Sequence, residues 1–324
     1  MKLFTILALV AGLALFGWLL LHYGAAELFA GVAAAGWGVL WVSLYRFVTI
    51  WAHGMGWRAL FPPDAAPRFW IWFRARWAGE AINSLLPVAQ VGGDVARAAM
   101  VVRHTTSGAV AGATVLVDFT AGLVAQFLYT MLGVALLATA AAAGMMRGFA
   151  VGLLVAAAVL TAFWFAQKSN ALGRFAEKFA ARGSRWATLA GGITELHRAT
   201  AALYSDRPRL MQCVVWRLCG WLLLTGETWL ALHFLGHTPT LANALVLESL
   251  SMAVRSAAFA LPGALGVQEA GFVLLGPMVG ISAETALALA LVKRLREVLV
   301  GVSGLWVWGA SERSSLARLL RGAS

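Results

Sequence analysis

Two short stretches of the sequence combine a helix-breaking Leu-Pro with a carboxylate seven positions after the proline. In the first stretch Pro87 precedes Asp94, and in the second Pro262 precedes Glu269. Proline removes a backbone donor and ends a helix, and the neighbouring glycines permit an irregular backbone. Both stretches lie in apolar surroundings, where such backbone is stable only if protein buries it or if it lines a wet cavity. The two stretches are therefore predicted to form the walls of one binding site.

Ionisable and amide side chains gather around both stretches, inside long apolar segments. A charge at the centre of a spanning helix costs about 3 kcal/mol on insertion scales, so such a group usually faces a partner or a cavity. The predicted substrate-binding or transport residues are Glu80, Asn83, Pro87, Gln90, Asp94, Arg97, Asp118, Arg255, Pro262, Gln268, Glu269, Lys293, Arg294, Arg296 and Glu297. Four further charges lie at the same depth: Arg46, Arg217, Glu227 and Glu248. Arg217 and Glu227 are expected to be structural or to lie near an interface.

Two interpretations remain open for each of these charges: internal ion pairing that fixes the fold, or a direct role in function. Asp94 and Glu269 begin the helices after the breaks, where a carboxylate either caps the helix or serves as a gate or a proton-coupled group. Lys293, Arg294 and Arg296 form a basic cluster that suits an anionic headgroup, because arginine forks bind phosphate bidentately.

Composition indicates an integral membrane protein rather than a soluble one. The 324 residues are 61% hydrophobic and only 12% charged, and they include fifteen tryptophans. The formal charge of +11 does not indicate nucleic-acid binding, because the basic residues lie in short segments between apolar spans. Cys213 and Cys219 lie about 240° apart around one helix and cannot pair with each other. No metal-binding, nucleophile-elbow, phosphate-loop or dinucleotide motif is found, so no cofactor or metal is expected.

Hydropathy predicts about six full membrane spans, at residues 3–21, 33–57, 108–143, 149–167, 210–234 and 284–310. The first is expected to be uncleaved, with signal cleavage as the alternative. Residues 168–209 are predicted to form amphipathic helices on the membrane surface. His53, near a span end, and Arg76, in an aromatic-rich segment, are expected at the interface. Basic residues concentrate in segments 58–76 and 168–209 and in the tail, which predicts that these segments and the C-terminus are cytoplasmic.

All the basic segments lie on one side of the membrane, and the non-basic loops on the other, only if each broken region enters and leaves on the same side. The two regions would then be oppositely oriented re-entrant helical hairpins of an inverted repeat, with halves at about 69–143 and 241–310 of a single membrane domain. The spacing agrees, since Asp118 and Lys293 each lie 24 residues after the carboxylate that follows the proline. Glu80 and Arg255 each lie seven residues before their proline, so they are predicted to face each other. Ordinary paired spans remain an alternative.

Four segments carry a resemblance to a known family: residues 77–94, 112–118, 247–269 and 291–297. They resemble the hopanoid-biosynthesis-associated membrane protein family, within the larger flippase-like group that includes the transmembrane region of lysylphosphatidylglycerol synthases. The resemblance implies a lipid transporter or flippase of the bacterial inner membrane, with hopanoids or accompanying phospholipids as cargo and hopanoid-synthesis proteins as further partners. Many members of the larger group carry Glu-Arg near the position of Asp118. Here Asp118 is followed by Phe119, so roles tied to that arginine do not carry over.

Two other functions remain open. One is an intramembrane enzyme that acts on a lipid headgroup, with Asp94 or Glu269 as general base. The other is a non-catalytic membrane partner of hopanoid-synthesis enzymes. An enzyme needs a nucleophile–base pair or a metal, and no motif for either is found, so transport is the preferred interpretation. The soluble aminoacyl-transferring domain of the synthases has no counterpart here, and synthase activity is not expected.

Overall fold

The described part of the chain is built from α-helices. A computed structural model describes residues 35–62, 66–86, 91–104, 107–138, 143–168, 184–258 and 264–321, with a few isolated positions before residue 35. These ranges hold ten α-helices and no strand, which confirms the all-α prediction. The helices are α1 (Gly38–Ala59), α2 (Phe69–Leu85), α3 (Gly92–Val101), α4 (Gly108–Ala138), α5 (Ala143–Lys168), α6 (Ser184–Ser205), α7 (Arg207–Phe234), α8 (Leu241–Ala257), α9 (Val267–Leu275) and α10 (Ala283–Arg321). Short 3-10 helices follow α3 and α9.

Five of the predicted spans fall on long helices of the structure, namely α1, α4, α5, α7 and α10. The first predicted span, 3–21, lies outside the ranges described. By length and apolar composition, α4 is the one helix in those ranges that is suited to crossing a membrane. Other long helices carry internal charges, such as Arg46 on α1 and Glu227 on α7, which lower their hydropathy. The predicted surface segment 168–209 is represented by α6, which begins at Ser184.

A helix ends and a new helix begins in both places where the Leu-Pro stretches predict a break. Helix α2 ends at Leu85 and α3 begins at Gly92, while α8 ends at Ala257 and α9 begins at Val267. Pro87, Gln90 and Pro262 themselves lie outside the described residues. Before α9 the backbone of Ala264 has φ +48° and that of Gly266 has φ +77°, a region that side chains other than glycine's rarely adopt.

The two breaks join pairs of helices that pack together. Helices α2 and α3 contact each other and form the first hairpin, and α8 and α9 contact each other and form the second hairpin. The first hairpin packs through α2 on α10, and the second packs through α8 on α4. Helices α1 and α7 lie side by side and contact α10 and α4, respectively. Each of these contacts of the first half (α1–α4) therefore has a counterpart in the second half (α7–α10).

Small residues permit the close approach of the two halves. A Cβ at Gly304 of α10 would lie 2.6 Å from the Cβ of Ala81 on α2. On α4, a Cβ at Gly133 would collide with the hydroxyl of Ser249 on α8. The indole Nε1 of Trp77 donates a hydrogen bond of 2.9 Å to the carbonyl oxygen of Val300. Dispersion contacts between closely packed backbones are a main source of helix association in lipid.

Apolar side chains fill two main clusters on the described helices. One contains Leu247, Phe272 and Leu289, and it joins α8, α9 and α10 to parts of α1, α4 and α7. The other contains Trp57 and Trp72, and it joins the helices of the first half to α7. Both clusters therefore span the two halves and fix their relative position.

Candidate functional site

A cavity of about 480 Å³ lies inside the helix assembly. Its wall includes Asn83 and Asp94 from the first hairpin and Arg255 from the second. The volume is within the range of small-molecule sites. The wall combines apolar surface with many charged side chains, namely six arginines and four carboxylates: Arg46, Arg76, Arg97, Arg217, Arg255, Arg296, Glu80, Asp94, Glu248 and Glu297.

Ion pairs sort these side chains and the residues behind them into three clusters. The Asp118 cluster consists of Arg76, Asp94, Arg97, Asp118 and Arg217. Asp118 on α4 is fully buried and faces three guanidinium groups. Arg97 Nη1 donates to Asp118 Oδ2 at 2.6 Å, and Arg76 Nη1 donates to the same oxygen at 3.2 Å. Arg217 Nε lies 3.7 Å from Asp118 Oδ1.

Helix α3 supplies Arg97, which bridges the carboxylates of the Asp118 cluster. Its Nε donates to Asp94 Oδ1 at 2.8 Å, and its guanidinium lies over the ring of Trp57, 4.8 Å from the centroid. Cation–π contact and two carboxylates together compensate for the burial of this charge. The Asn83 Oδ1 atom accepts a hydrogen bond of 2.7 Å from the backbone N–H of Gly93, so α2 binds the free N-terminus of α3.

The Glu227 cluster lies around the C-terminal third of α7. Its members are Arg46, Glu80, Glu227, Glu248, Lys293 and Arg296. One oxygen of Glu227 lies 2.8 Å from Arg296 Nη2 and 3.5 Å from Lys293 Nζ, and the other lies 3.5 Å from Arg46 Nη1.

The outer members of the Glu227 cluster continue the chain of ion pairs. Lys293 Nζ donates to Glu248 Oε2 at 2.6 Å, and Arg46 Nε donates to Glu80 Oε1 at 2.6 Å. The cluster therefore ties α1, α2, α7, α8 and α10 together.

The Arg255 cluster joins the second hairpin to α10 and contains Arg255, Glu269, Arg294 and Glu297. Arg255 Nη1 donates to Glu297 Oε1 at 2.5 Å and to the side-chain oxygen of Gln268 at 2.6 Å. Arg294 donates to Glu269 at 2.5 Å and to Glu297 at 2.8 Å. Both helices of the second hairpin are thus attached to α10 by charged hydrogen bonds.

In the structure, some of the predicted site residues line the cavity and others lie behind the residues that line it. Seven of them line the cavity: Glu80, Asn83, Asp94, Arg97, Arg255, Arg296 and Glu297. Five others contact wall residues directly or through another pair: Asp118, Gln268, Glu269, Lys293 and Arg294. Pro87, Gln90 and Pro262 lie outside the described residues. Participation of all these residues in transport stays a prediction.

The predicted pairing of Glu80 with Arg255 is wrong. Glu80 binds Arg46 on α1, and Arg255 binds Glu297 on α10, because these helices bring closer partners. The carboxylates of Asp94 and Glu269 also have arginine partners, and Asn83 occupies the N-terminus of α3. Both side chains of the predicted pair nevertheless line the same cavity.

Four residues outside the predicted site lie in the cavity wall or in the charged clusters behind it. His53 and Arg76 were expected at the interface but lie in the cavity wall, with His53 only 5% exposed. Arg217 and Glu227, expected to be structural or interfacial, lie buried within the Asp118 and Glu227 clusters.

The spacing of residues along α1 and α2 could have indicated the position of two of these residues from the sequence. Arg76, Glu80 and Asn83 follow the i, i+4, i+7 pattern of one helix face, and Arg46 and His53 are seven residues apart. This periodicity places His53 and Arg76 on the faces of α1 and α2 that also carry the predicted charges.

An all-helical chain that surrounds a charged internal cavity defines the class of integral membrane proteins with a polar site in their interior. The family model described as the lysylphosphatidylglycerol synthase TM region matches residues 5–304. The chain belongs to this family, and it is therefore a multi-pass membrane protein whose function concerns membrane lipids. This confirms the larger group that the sequence resembles, while the narrower hopanoid-associated assignment stays a prediction. Searches of curated proteins and of solved structures found no match.

Proposed function

We propose that the protein moves an amphipathic lipid between the leaflets of the bacterial inner membrane, or from it towards an export route. The cargo is a hopanoid or a phospholipid that accompanies hopanoids. One observation carries the proposal: the cavity has walls from both hairpins and is lined by charged side chains. Such a cavity replaces the water that a headgroup loses on entering the hydrocarbon layer, where an unsolvated charge is costly.

The outer surface of the helices supports a path on which the lipid tail stays in the bilayer. Large apolar side chains are exposed on the outer faces of α4 and α10, for example Leu128, Leu132, Leu295, Val298 and Val302. These side chains are compatible with acyl chains or with the ring system of a triterpenoid. The headgroup would move through the cavity while the tail follows along this surface.

The hairpins supply the conformational change in this mechanism. We assign them as oppositely oriented re-entrant hairpins, with the C-terminus in the cytoplasm. The two breaks and the reciprocal packing of α2 on α10 and α8 on α4 support this assignment. Midplane sites formed by discontinuous helices are typical of transporters that expose one site alternately to each side.

The cavity wall is less compatible with an enzymatic reaction on the lipid headgroup than with transport. Each carboxylate that lines the cavity has a basic partner: Arg46 for Glu80, Arg97 for Asp94, Lys293 for Glu248, and Arg255 for Glu297. A carboxylate held in an ion pair is a weak general base. This arrangement favours binding and transport over the enzymatic alternative.

Transport is tested with the purified protein in liposomes that contain a fluorescent phospholipid or a fluorescent triterpenoid. A membrane-impermeant quencher reports how much labelled lipid reaches the outer leaflet. Leu123 on α4 lines the cavity, whereas its neighbour Val124 is 36% exposed on the outside of the helix assembly. Leu123→Trp should obstruct the cavity and reduce transport to the protein-free level, and Val124→Trp should retain it. The proposal fails if neither lipid moves faster than in protein-free vesicles, or if both variants transport equally.

A further inference from the structure

The three charged clusters differ in their balance of charge. The Glu227 cluster contains three basic and three acidic side chains, and the Arg255 cluster contains two of each. The Asp118 cluster contains three arginines, Arg76, Arg97 and Arg217, but only two carboxylates, Asp94 and Asp118. Within the described ion-pair clusters, the excess positive charge is therefore located at one place. A buried charge without a partner is costly.

Arg217 is the member of the Asp118 cluster with the most unused binding capacity. The residue is 7% exposed and lines the cavity. Its Nε and Nη1 atoms are buried and have no hydrogen-bond partner among the described residues. The same holds for Nε of Arg76 and for Nδ1 of His53, which belong to the same wall. Buried polar nitrogen atoms normally have a hydrogen-bond partner, so the unsatisfied nitrogen atoms of three side chains in one wall indicate a ligand.

Two glycines hold the Arg217 side chain in its position. A Cβ at Gly122 of α4 would collide with the Arg217 guanidinium, and a Cβ at Gly56 of α1 would lie 3.1 Å from Arg217 Cγ. The guanidinium thus occupies a slot between α1 and α4 that only residues without a side chain leave open. This fixed position distinguishes Arg217 from a flexible surface arginine.

We propose that the Asp118 cluster binds an oxyanion, the singly charged phosphodiester of a phospholipid headgroup, with Arg217 as the main ligand and Arg76 and His53 as additional ones. The proposal rests on the proposed function, because lipid transport is what brings a headgroup into the cavity. One negative charge would balance three arginines against two carboxylates. A guanidinium donates two parallel hydrogen bonds to phosphate oxygens. The site selects a phosphodiester over an uncharged triterpenoid as the transported headgroup.

Equilibrium binding to the purified full chain in detergent tests this site. Native mass spectrometry compares phosphatidylglycerol with diacylglycerol of the same acyl chains, which lacks the phosphate. The unaltered protein should prefer phosphatidylglycerol. Arg217→Gln should weaken phosphatidylglycerol binding about ten- to a hundredfold, as expected for the loss of a charged hydrogen bond. Gly122→Ala should weaken it in the same direction, because it displaces the guanidinium while every charge stays present.

The matched control is Arg209→Gln, on the same helix as Arg217. Arg209 is about one-third exposed and pairs with Asp206 at the start of α7. This variant should bind phosphatidylglycerol like the unaltered protein.

Inorganic phosphate, added as a competitor, separates two sources of the oxyanion. If phosphate binds through Arg217 and phosphatidylglycerol does not, the oxyanion site stands and its ligand is the free ion.

The result that overturns the site differs from the result that overturns transport. Equal binding of phosphatidylglycerol and diacylglycerol by the unaltered protein, together with no Arg217-dependent binding of inorganic phosphate, refutes the oxyanion site, whatever the liposomes show. The site is equally refuted if Arg217→Gln and Gly122→Ala both bind phosphatidylglycerol normally. Arg217-dependent binding without any lipid movement in liposomes would keep the site and refute the proposed function.

Discussion

Replacing Glu227 by glutamine tests whether the Glu227 cluster holds the helices together by balance of charge. Glu227 is fully buried and faces Arg46, Lys293 and Arg296 within 3.5 Å. The substitution keeps the size of the side chain but leaves three basic groups against two carboxylates. Loss of one partner from a buried ion pair costs about 3–5 kcal/mol, because the remaining charge stays buried.

The expected change in melting temperature follows from the size of the chain. With an unfolding entropy of about 2.1 cal/mol/K per residue, 324 residues give roughly 0.7 kcal/mol/K. A loss of about 3–5 kcal/mol then lowers the melting temperature by about 4–7 °C. Tryptophan fluorescence of the detergent-purified protein during heating measures this shift. The control Glu284→Gln changes an exposed glutamate in the first turn of α10 and should shift the melting temperature by about 1 °C at most.

A double variant separates charge balance from other effects of the substitution. Among the described residues, the ion pair of Arg296 is with Glu227. Arg296→Met alone should destabilise the protein, whereas Glu227→Gln combined with Arg296→Met leaves two basic groups and two carboxylates. The double variant should therefore be more stable than the sum of the two single effects predicts. Strictly additive losses, or no loss in Glu227→Gln, would refute the role assigned to the cluster.

Two further predictions concern packing and helix termini. Gly304→Val should force α2 and α10 apart at Ala81 and lower the melting temperature by a few degrees, since overpacking costs about 1–3 kcal/mol. Gly309→Val, on the same helix with open space around it, should not; equal effects would contradict the close approach. Asn83→Ala should remove the acceptor of the Gly93 N–H and destabilise the protein by about 1 kcal/mol, measured in the same heating experiment. Asn83→Asp retains an acceptor and should lose less, and the reverse order would exclude this bond as the cause.

The breaks and the buried charges could be predicted because both are local signals. A Leu-Pro followed by glycine interrupts a helix, and α2 ends two residues before Pro87 and α8 five residues before Pro262. A charge within an apolar segment needs a partner or a cavity. Glu80, Asp94 and Arg255 were singled out by this rule, and each has a charged partner in the cavity wall or behind it.

The identity of the partners could not be predicted, because it depends on which helices are neighbours. Arg46 reaches Glu80 across 34 positions of the chain, and Lys293 reaches Glu248 across 45. Symmetry between the two prolines suggested that Glu80 and Arg255 would pair, but the halves carry different residues at equivalent positions. Arg76 lies in an aromatic-rich segment, and that composition indicated a membrane surface although the side chain points towards Asp118.

The packing of α2 on α10 has a consequence for the biogenesis of the protein. A ribosome releases α2 long before α10, so the first hairpin must wait for its neighbour until synthesis is almost complete. During that interval the surface that later accepts Val300 and Gly304 has to be shielded by lipid or by insertion factors. Loss of the last helix would therefore leave the packing surface of the first hairpin uncovered, in addition to removing the end of the chain.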